Sequence, residues 1–120
     1  MAEVELKNFA SADEVREFPH GRAEVVSIGG GQVMRLTLQP GWRWTEHVGP
    51  HVGTALCEAP HFQVVLAGRV GVRMADGIEF ELGPGDVNLV PPGHDAWVVG
   101  DTPAVVVDWG GAHAWGVSGS

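Results

Sequence analysis

The sequence predicts an all-β fold, a single antiparallel β-barrel of the jelly-roll type with a short helical turn near its N-terminus. The chain has 120 residues, and its 18 glycines and 8 prolines break a composition that is 44% hydrophobic into short apolar segments. Several of these segments alternate apolar and polar residues with a period of two, as strands with one buried face do. Many short strands joined by turns are typical of barrels and sandwiches, and a chain of this length suits one domain with one core.

The helical turn is predicted from a capping box. Ser11 is followed three residues later by Glu14, a spacing that stabilises the first turn of a helix. The pattern predicts a turn that begins near Ser11 and ends near Phe18, because Pro19 follows.

Strands are predicted wherever a short apolar or alternating run lies between turn residues. In one of them Met34, Leu36 and Leu38 alternate with polar residues, and Asp76-Gly77 is a strong signal for a hairpin turn. The predicted strands cover residues 25–28, 33–39, 42–48, 62–67, 70–74, 78–82, 87–90, 96–99 and 104–109.

The positions of the turn residues also divide the chain into three parts. We expect residues 1–32 to form an N-terminal segment that packs on the barrel, residues 33–110 to form the barrel, and residues 111–120 to form a Gly-, Ala- and Ser-rich tail. Residues 49–60 contain two prolines and two glycines and read as a long irregular loop, a kind of segment that is commonly functional.

Charge and hydropathy exclude several classes of partner. The net charge is −8, from 15 acidic against 7 basic residues, and the basic residues do not cluster. We therefore expect no binding to nucleic acid or to an anionic membrane surface. No stretch approaches the roughly 20 apolar residues of a membrane span, and the first residues lack a signal pattern, so we expect a cytoplasmic protein. Cys57 is the only cysteine, which excludes an intrachain disulfide.

One glycine- and proline-rich stretch has a specific spacing. Gly85 lies six residues before Pro91, and the turn continues through Gly93 to His94. This stretch resembles the second motif of the cupin family, in which a glycine precedes a Pro-x-Gly turn and a metal-binding histidine. The family usually has two residues between the last glycine and that histidine, whereas His94 follows Gly93 directly.

A more divergent stretch resembles the first cupin motif. Gly41 followed after five residues by His47 is similar to its first half, and the segment from His61 to Gly68 is similar to its second half. Gly49 stands where the family has a second histidine, His61 stands where it has a glutamate, and about seven extra residues separate the halves. The resemblance as a whole covers residues 33–109.

The resemblance implies a cupin-type β-barrel, also called a double-stranded β-helix or jelly roll, with a metal site in its mouth. It implies that His47, His61 and His94 bind one divalent transition-metal ion, which on ligand chemistry is Zn, Fe, Mn, Ni or Cu. The fourth ligand position is open to Cys57, His51 or Glu58, with Cys57 ranked first and His51 second, because a thiolate four residues before His61 favours Zn or Cu(I).

Further expectations depend on the direction of His61. If its side chain faces the interior, Gln63 and Val65 share that side, while Phe62, Val64 and Leu66 point outward. An apolar outer face requires a partner, and cupins commonly form homodimers through such a face. By proximity in the sequence, Asp95, Glu46 and Glu58 are candidates to bind the second ring nitrogen of a ligating histidine.

These observations lead to one main functional hypothesis and two alternatives. The main hypothesis is a small metalloenzyme that acts on a small organic substrate in the barrel, with either dioxygenase-like or cyclase- or isomerase-like chemistry. The first alternative is a non-catalytic cupin module that binds or senses a ligand or metal. The second is a metal-free barrel whose histidines form a polar pocket.

Overall fold

The protein consists of two antiparallel β-sheets, and the computed structural model describes residues 3–110. The first sheet has six strands in the order β1-β2-β3-β9-β4-β7, and the second has three in the order β6-β5-β8. Every strand pair of these two sheets is antiparallel, which confirms the predicted all-β antiparallel architecture. The strands are β1 (Glu14–Phe18), β2 (Gly21–Ile28), β3 (Gly31–Leu38), β4 (His61–Ala67), β5 (Val70–Met74), β6 (Glu79–Leu82), β7 (Val87–Val90), β8 (His94–Val98) and β9 (Ala104–Asp108).

An apolar core lies between the two sheets. The alternation predicted for β3 is present, because Met34, Leu36 and Leu38 are buried at its inner face. They belong to one continuous cluster with residues of the second sheet, such as Val70 and Val72 of β5. Burial of these side chains supplies the main driving force that holds the two sheets together.

The N-terminal part of the chain extends the larger sheet. Within the predicted segment 1–32, β1 and β2 pair with each other, and β2 pairs with β3 along its whole length. The predicted tail 111–120 lies outside the described residues. No helix in the described part of the chain is long and apolar enough to span a membrane.

The predicted helical turn exists but lies earlier than expected. A single 3₁₀ turn spans Phe9–Ser11, and the side chain of Asn8 caps it by accepting a hydrogen bond of 2.8 Å from the Ala10 amide. The capping box from Ser11 is wrong, since Glu14 begins β1 and its carboxylate pairs with Arg16 instead. Pairing with β2 therefore overrides the local helical signal.

The predicted strand at residues 42–48 is also wrong. Residues Trp44–His47 form the one-turn helix α1, and Gly49–Val52 form a second short helix, α2, inside the predicted loop. The backbone amide of Thr45, in the first turn of α1, donates a hydrogen bond of 3.1 Å to the Asp95 carboxylate on β8. The free backbone amide at this helix end is bonded by a residue 50 positions away, so the helix depends on tertiary structure. The local sequence pattern cannot reveal such a contact.

Candidate metal centre

Three side chains with metal-binding atoms meet in the interior between the sheets. The ligand atoms of Cys57, His61 and His94 all lie within 4.8 Å of one another. The three residues are only 2%, 5% and 3% exposed, respectively. Polar groups this deeply buried require partners, and one sulfur with two imidazoles is a donor set that suits zinc and similar ions.

The strands place the two histidines. His61 is the first residue of β4, and the alternation of that strand buries Gln63 and Val65 on the same side while Phe62 and Leu66 are exposed. The predicted direction of the His61 side chain is therefore confirmed. His94 is the first residue of β8 in the opposite sheet, so the two rings meet across the core with their centroids 5.0 Å apart.

Cys57 is joined to the turn that precedes β8 by its backbone. Its amide donates a hydrogen bond of 2.8 Å to the His94 carbonyl, and its carbonyl accepts one of 2.7 Å from the Gly93 amide. Gly93 has φ of +91°, a conformation in which glycine is favoured. This short bridge fixes the position of the thiol relative to the His94 ring.

The second ring nitrogen of His61 contacts a buried carboxylate. His61 Nδ1 donates a hydrogen bond to Asp108 Oδ2, because an ionised carboxylate only accepts. Asp108 is fully buried, and its Oδ1 accepts hydrogen bonds from the amides of Phe62 at 3.3 Å and Gly110 at 2.8 Å. The tautomer of His61 therefore presents the lone pair of Nε2 to Cys57 Sγ, 3.6 Å away.

His94 is oriented in the same way by a backbone carbonyl. Its Nδ1 donates a hydrogen bond of 2.8 Å to the Pro91 carbonyl, so the lone pair is on Nε2. Burial, and secondarily the neighbouring His61, lower the pKa of His94 to about 4. The ring is therefore neutral at pH 7, which is the form that binds a metal.

The thiol of Cys57 is protonated in the absence of a cation. Burial raises its pKa to about 12, and the negative charge of Asp108 contributes in the same direction, although a backbone hydrogen bond involving Ala59 opposes them. A bound cation reverses this balance, since a metal binds the thiolate and displaces the proton.

The structure brings together three of the six candidate ligands, Cys57, His61 and His94. His47 is in α1, where its Nδ1 accepts a hydrogen bond of 3.0 Å from the Arg43 amide and its ring packs on His20. The helical backbone turns His47 onto its own N-terminus, away from the cluster of Cys57, His61 and His94. His51 and Glu58 are exposed to solvent and do not join the cluster.

The partners expected for the ring nitrogens are different from those observed. Asp95 binds Arg43 and Thr45 rather than a histidine, and Asp108 and the Pro91 carbonyl take the predicted role. A signal for Asp108 was present, because it continues the buried face formed by Ala104 and Val106 on β9. An acidic residue at a core-facing position usually has a buried partner.

A small cavity adjoins the two histidines. The space open to the centres of water-sized molecules is about 30 Å³, enough for two to three waters at roughly 10–15 Å³ each. His61, Gln63 and His94 form its polar side, and Trp42, Trp44 and Ala96 contribute further wall. The remaining wall is aliphatic and consists of Leu36, Leu38, Val70, Val72, Val90 and Val106.

Comparison with known proteins gives matches in structure but not in sequence. No protein-family model matches the chain, and no curated protein matches it. A protein of unknown function from Rhizobium leguminosarum is 19% identical, with a TM-score of 0.62 over 89% of this chain and 95% of that one.

Two structures with named activities are also similar. Oxalate decarboxylase from Bacillus subtilis is 16% identical with a TM-score of 0.61, over 92% of this chain and 31% of its own. A sugar phosphate isomerase of the cupin superfamily from Silicibacter pomeroyi is 24% identical with a TM-score of 0.52, over 74% of this chain and 57% of its own. The chain thus spans about a third of the decarboxylase, and the likeness concerns the fold alone.

Proposed function

Because the chain has the cupin fold, we propose that it is a metal-binding protein in which Cys57, His61 and His94 hold one divalent transition-metal ion. The ion would act on, or bind, a small organic molecule in the adjoining cavity. The observation that supports this proposal is the convergence of three buried donor atoms within 4.8 Å. The other nitrogen of each histidine already has an acceptor, in Asp108 and in the Pro91 carbonyl, which is the usual arrangement around a metal ligand.

The donor set favours zinc among the five metals considered. Thiolate and imidazole together suit Zn²⁺, and three protein ligands with an open fourth position are typical of catalytic rather than structural zinc sites. A zinc ion held there would supply Lewis acidity, which polarises a carbonyl or activates water. Zinc has no redox chemistry, so this assignment favours cyclase- or isomerase-like reactions over dioxygenase-like ones.

The protein's own residues would prepare the site in three ways. Asp108 fixes the His61 ring, and the Pro91 carbonyl fixes the His94 ring, so both lone pairs face the same region. Gln63 is held by a hydrogen bond of 2.9 Å from its Nε2 to Asn88 Oδ1 and presents a polar group at the cavity wall. The aliphatic walls lower the polarity around the site, which strengthens electrostatic interactions inside it.

A specific observation supports the alternative of a binding or sensing module without turnover. Among the described residues that line the cavity, the only titratable side chains are His61 and His94. Both are assigned to the metal, so no separate general acid or base faces a ligand there. Reactions that need only Lewis acid catalysis remain compatible with the site, and ligand capture by the metal is equally so.

We also propose that the protein is a homodimer. An apolar outer face, which consists of Phe62, Leu66, Val87, Leu89 and Trp109, is exposed on one side of the larger sheet. It is continuous with β7, the last strand of that sheet, and Phe62 is the cross-strand partner of Leu89. A second copy would cover this face and the open edge of β7 together. A cytoplasmic location and the lack of nucleic-acid and membrane partners remain part of the proposal.

Metal analysis tests the central claim. Protein purified without an affinity tag from zinc-supplemented medium should contain close to one equivalent of zinc, and Cys57→Ser, His61→Gln and His94→Gln should each lose most of it. His47→Gln and His51→Gln are the matched controls, because these histidines lie outside the cluster. Less than about 0.2 equivalents of any transition metal in the wild-type protein would overturn the proposal.

A further inference from the structure

One buried hydrogen-bond donor in the cavity wall has no acceptor within the described part of the chain. Trp44 is 2% exposed, and its Nε1 makes no hydrogen bond. Leaving a buried donor without an acceptor destabilises the protein, so such groups usually have a bound partner. The Trp44 ring lines the cavity beside the histidines, which makes the contents of the cavity the natural partner.

The packing of the ring indicates the direction of its nitrogen. A Cβ added at Gly49 would lie 3.0 Å from Trp44 Cζ3 and 3.5 Å from Cε3, so this edge of the indole rests on α2. Nε1 is on the other side of the indole ring system. With one edge against Gly49, we infer that the edge carrying Nε1 faces the cavity.

The charges around the cavity define which ligands are compatible. No lysine or arginine is among the described residues that line it. With the proposed ion in place, its two positive charges are balanced by the Cys57 thiolate and the Asp108 carboxylate. The filled site is then electrically neutral, and a carboxylate or a dianion in the cavity would be a buried charge without a counterion.

We propose that the cavity binds a small uncharged molecule with a carbonyl group, whose oxygen accepts a hydrogen bond from Trp44 Nε1 while its apolar part packs against the valine and leucine walls. The charge balance in this inference rests on the proposed metal site, whereas the Trp44 contact does not. The size of the cavity, about 30 Å³ for water-sized molecules, restricts the bound part to a few heavy atoms.

Three probes of nearly the same shape test the ligand class. Acetone, acetate and 2-methylpropene each have four heavy atoms, arranged around a trigonal carbon. Acetone carries a neutral carbonyl group, acetate carries a negative charge, and 2-methylpropene has no polar group. Each is titrated into ¹⁵N-labelled protein, zinc-loaded and metal-free, while the indole N–H signals are followed by NMR. Trp44→Phe assigns the Trp44 signal, and Trp109→Phe is the control, because Trp109 is half exposed and outside the cavity wall. The zinc content of every sample is measured in parallel.

The expected result is a saturable shift of the Trp44 N–H signal with acetone, at a Kd no tighter than the order of 0.1 mM for so small a ligand. Acetate should bind at least about tenfold more weakly, and Trp44→Phe should lower acetone affinity about fivefold while Trp109→Phe does not. The inference is overturned if acetate binds as well as acetone, if 2-methylpropene does so, or if the Trp44 signal does not respond to acetone.

The two proposals fail separately in this design. If the wild-type protein takes up no zinc on loading but still shows the acetone-specific shift of the Trp44 signal, the metal site is refuted and the carbonyl contact is supported. If the protein binds zinc but its Trp44 N–H signal does not shift with acetone, the contact between Trp44 and the carbonyl group is refuted and the metal site is supported. If Trp44→Phe does not fold, sequential NMR assignment of the wild-type protein identifies the Trp44 signal, and its response to acetone decides the proposal.

Discussion

The carboxylate of Asp108 holds the imidazole of His61 through Nδ1, although the two residues are 47 positions apart in the chain. The contact joins the end of β9 to the start of β4, two neighbouring strands of the larger sheet. Asp108 is in turn held by the amides of Phe62 and Gly110, so its position is fixed before any ligand binds. The orientation of the His61 ring is therefore fixed by the pairing of strands in the sheet.

Replacement of Asp108 by Asn should weaken zinc binding by about 10- to 100-fold, because the amide neither fixes the His61 tautomer as well nor raises the basicity of its ring. Competition with a chromophoric chelator measures this change. Asp76→Asn, in an exposed turn where the aspartate accepts from the Ile78 amide, is the control and should bind zinc like the wild type. Equal affinities in the two variants would show that Asp108 has only a structural role.

Zinc binding should release close to one proton, and this proton should come from Cys57. Since the pKa of the free thiol is about 12, the apparent affinity should rise about tenfold per pH unit between about pH 7 and 9. Chelator competition at several pH values, corrected for the chelator's own protonation, gives the slope. In Cys57→Ser the slope should fall close to zero, and a slope unchanged by this substitution would argue that the thiol is not a ligand.

The metal-free protein should lose stability as the pH falls from about 6.5 to 4. Burial lowers the pKa of His94 from its ordinary 6.5 to about 4 in the folded state, so in this interval the unfolded chain binds more protons than the folded one. The contribution of His94 to the free energy of unfolding is therefore largest above pH 6.5, the pKa of the group in the unfolded chain. It falls by roughly 2–3 kcal/mol as the pH decreases toward the pKa in the folded state.

Urea denaturation of the metal-free protein at pH 7 and pH 4 measures this loss. His94→Gln should lose less stability than the wild type over the same interval. The exposed His51, replaced by Gln, is the matched control and should behave like the wild type. The idea would have to be abandoned if the His94 variant kept the full pH dependence.

Leu89→Glu should convert the proposed homodimer to monomers. Leu89 is 77% exposed within the apolar outer face, so the substitution should not affect folding, but in a symmetric dimer it would bury two charges in the interface. Sedimentation velocity at micromolar concentrations measures the mass. Ile78→Glu, at an exposed apolar position outside that face, should leave the dimer intact. A wild-type protein that sediments as a monomer would remove the basis of this prediction.

Gly68→Ala should destabilise the protein by about 2–4 kcal/mol. Gly68 has φ of +72°, and an added Cβ would overlap the Pro103 carbonyl oxygen and approach Ala104 Cα to 2.7 Å. Gly77→Ala measures the share of the destabilisation that comes from the positive φ alone. Gly77 has φ of +92°, but nothing lies within 4 Å of its added Cβ. Its loss should be only about 1 kcal/mol, measured by thermal or urea unfolding. Similar losses in the two variants would rule out the steric contribution.

Most of the strands were predictable because their side chains obey a local rule. Alternation in β3 and the Asp76-Gly77 turn signal depend only on neighbouring residues. The helix α1 was not predictable in this way, since its first turn is satisfied by Asp95 from β8. With that helix misread as a strand, His47 was expected among the metal ligands, whereas its Nδ1 accepts a hydrogen bond from the Arg43 amide.

The candidate site could be predicted only in part, because some of its contacts join residues that are distant in the sequence. His61 and His94 were found from their motif positions, and Cys57 from its ligand chemistry. Asp108 was missed because no motif contains it, and its relationship to His61 arises only when β9 pairs with β4. A residue that holds another side chain in place must lie beside it in the fold. Which residues become neighbours in this way depends on the order of the strands in the sheet, and the linear sequence does not show that order.

The backbone bridge between Cys57 and His94 has a consequence for the thermodynamics of metal binding. Two of the three donors are held in a fixed relationship by hydrogen bonds of 2.7 and 2.8 Å that need no ion. Little conformational entropy then remains to be lost when an ion arrives, in contrast to small zinc domains that fold only around their metal. The free energy of the metal–ligand bonds would appear as affinity rather than be consumed in ordering the chain, and the apoprotein would keep its fold.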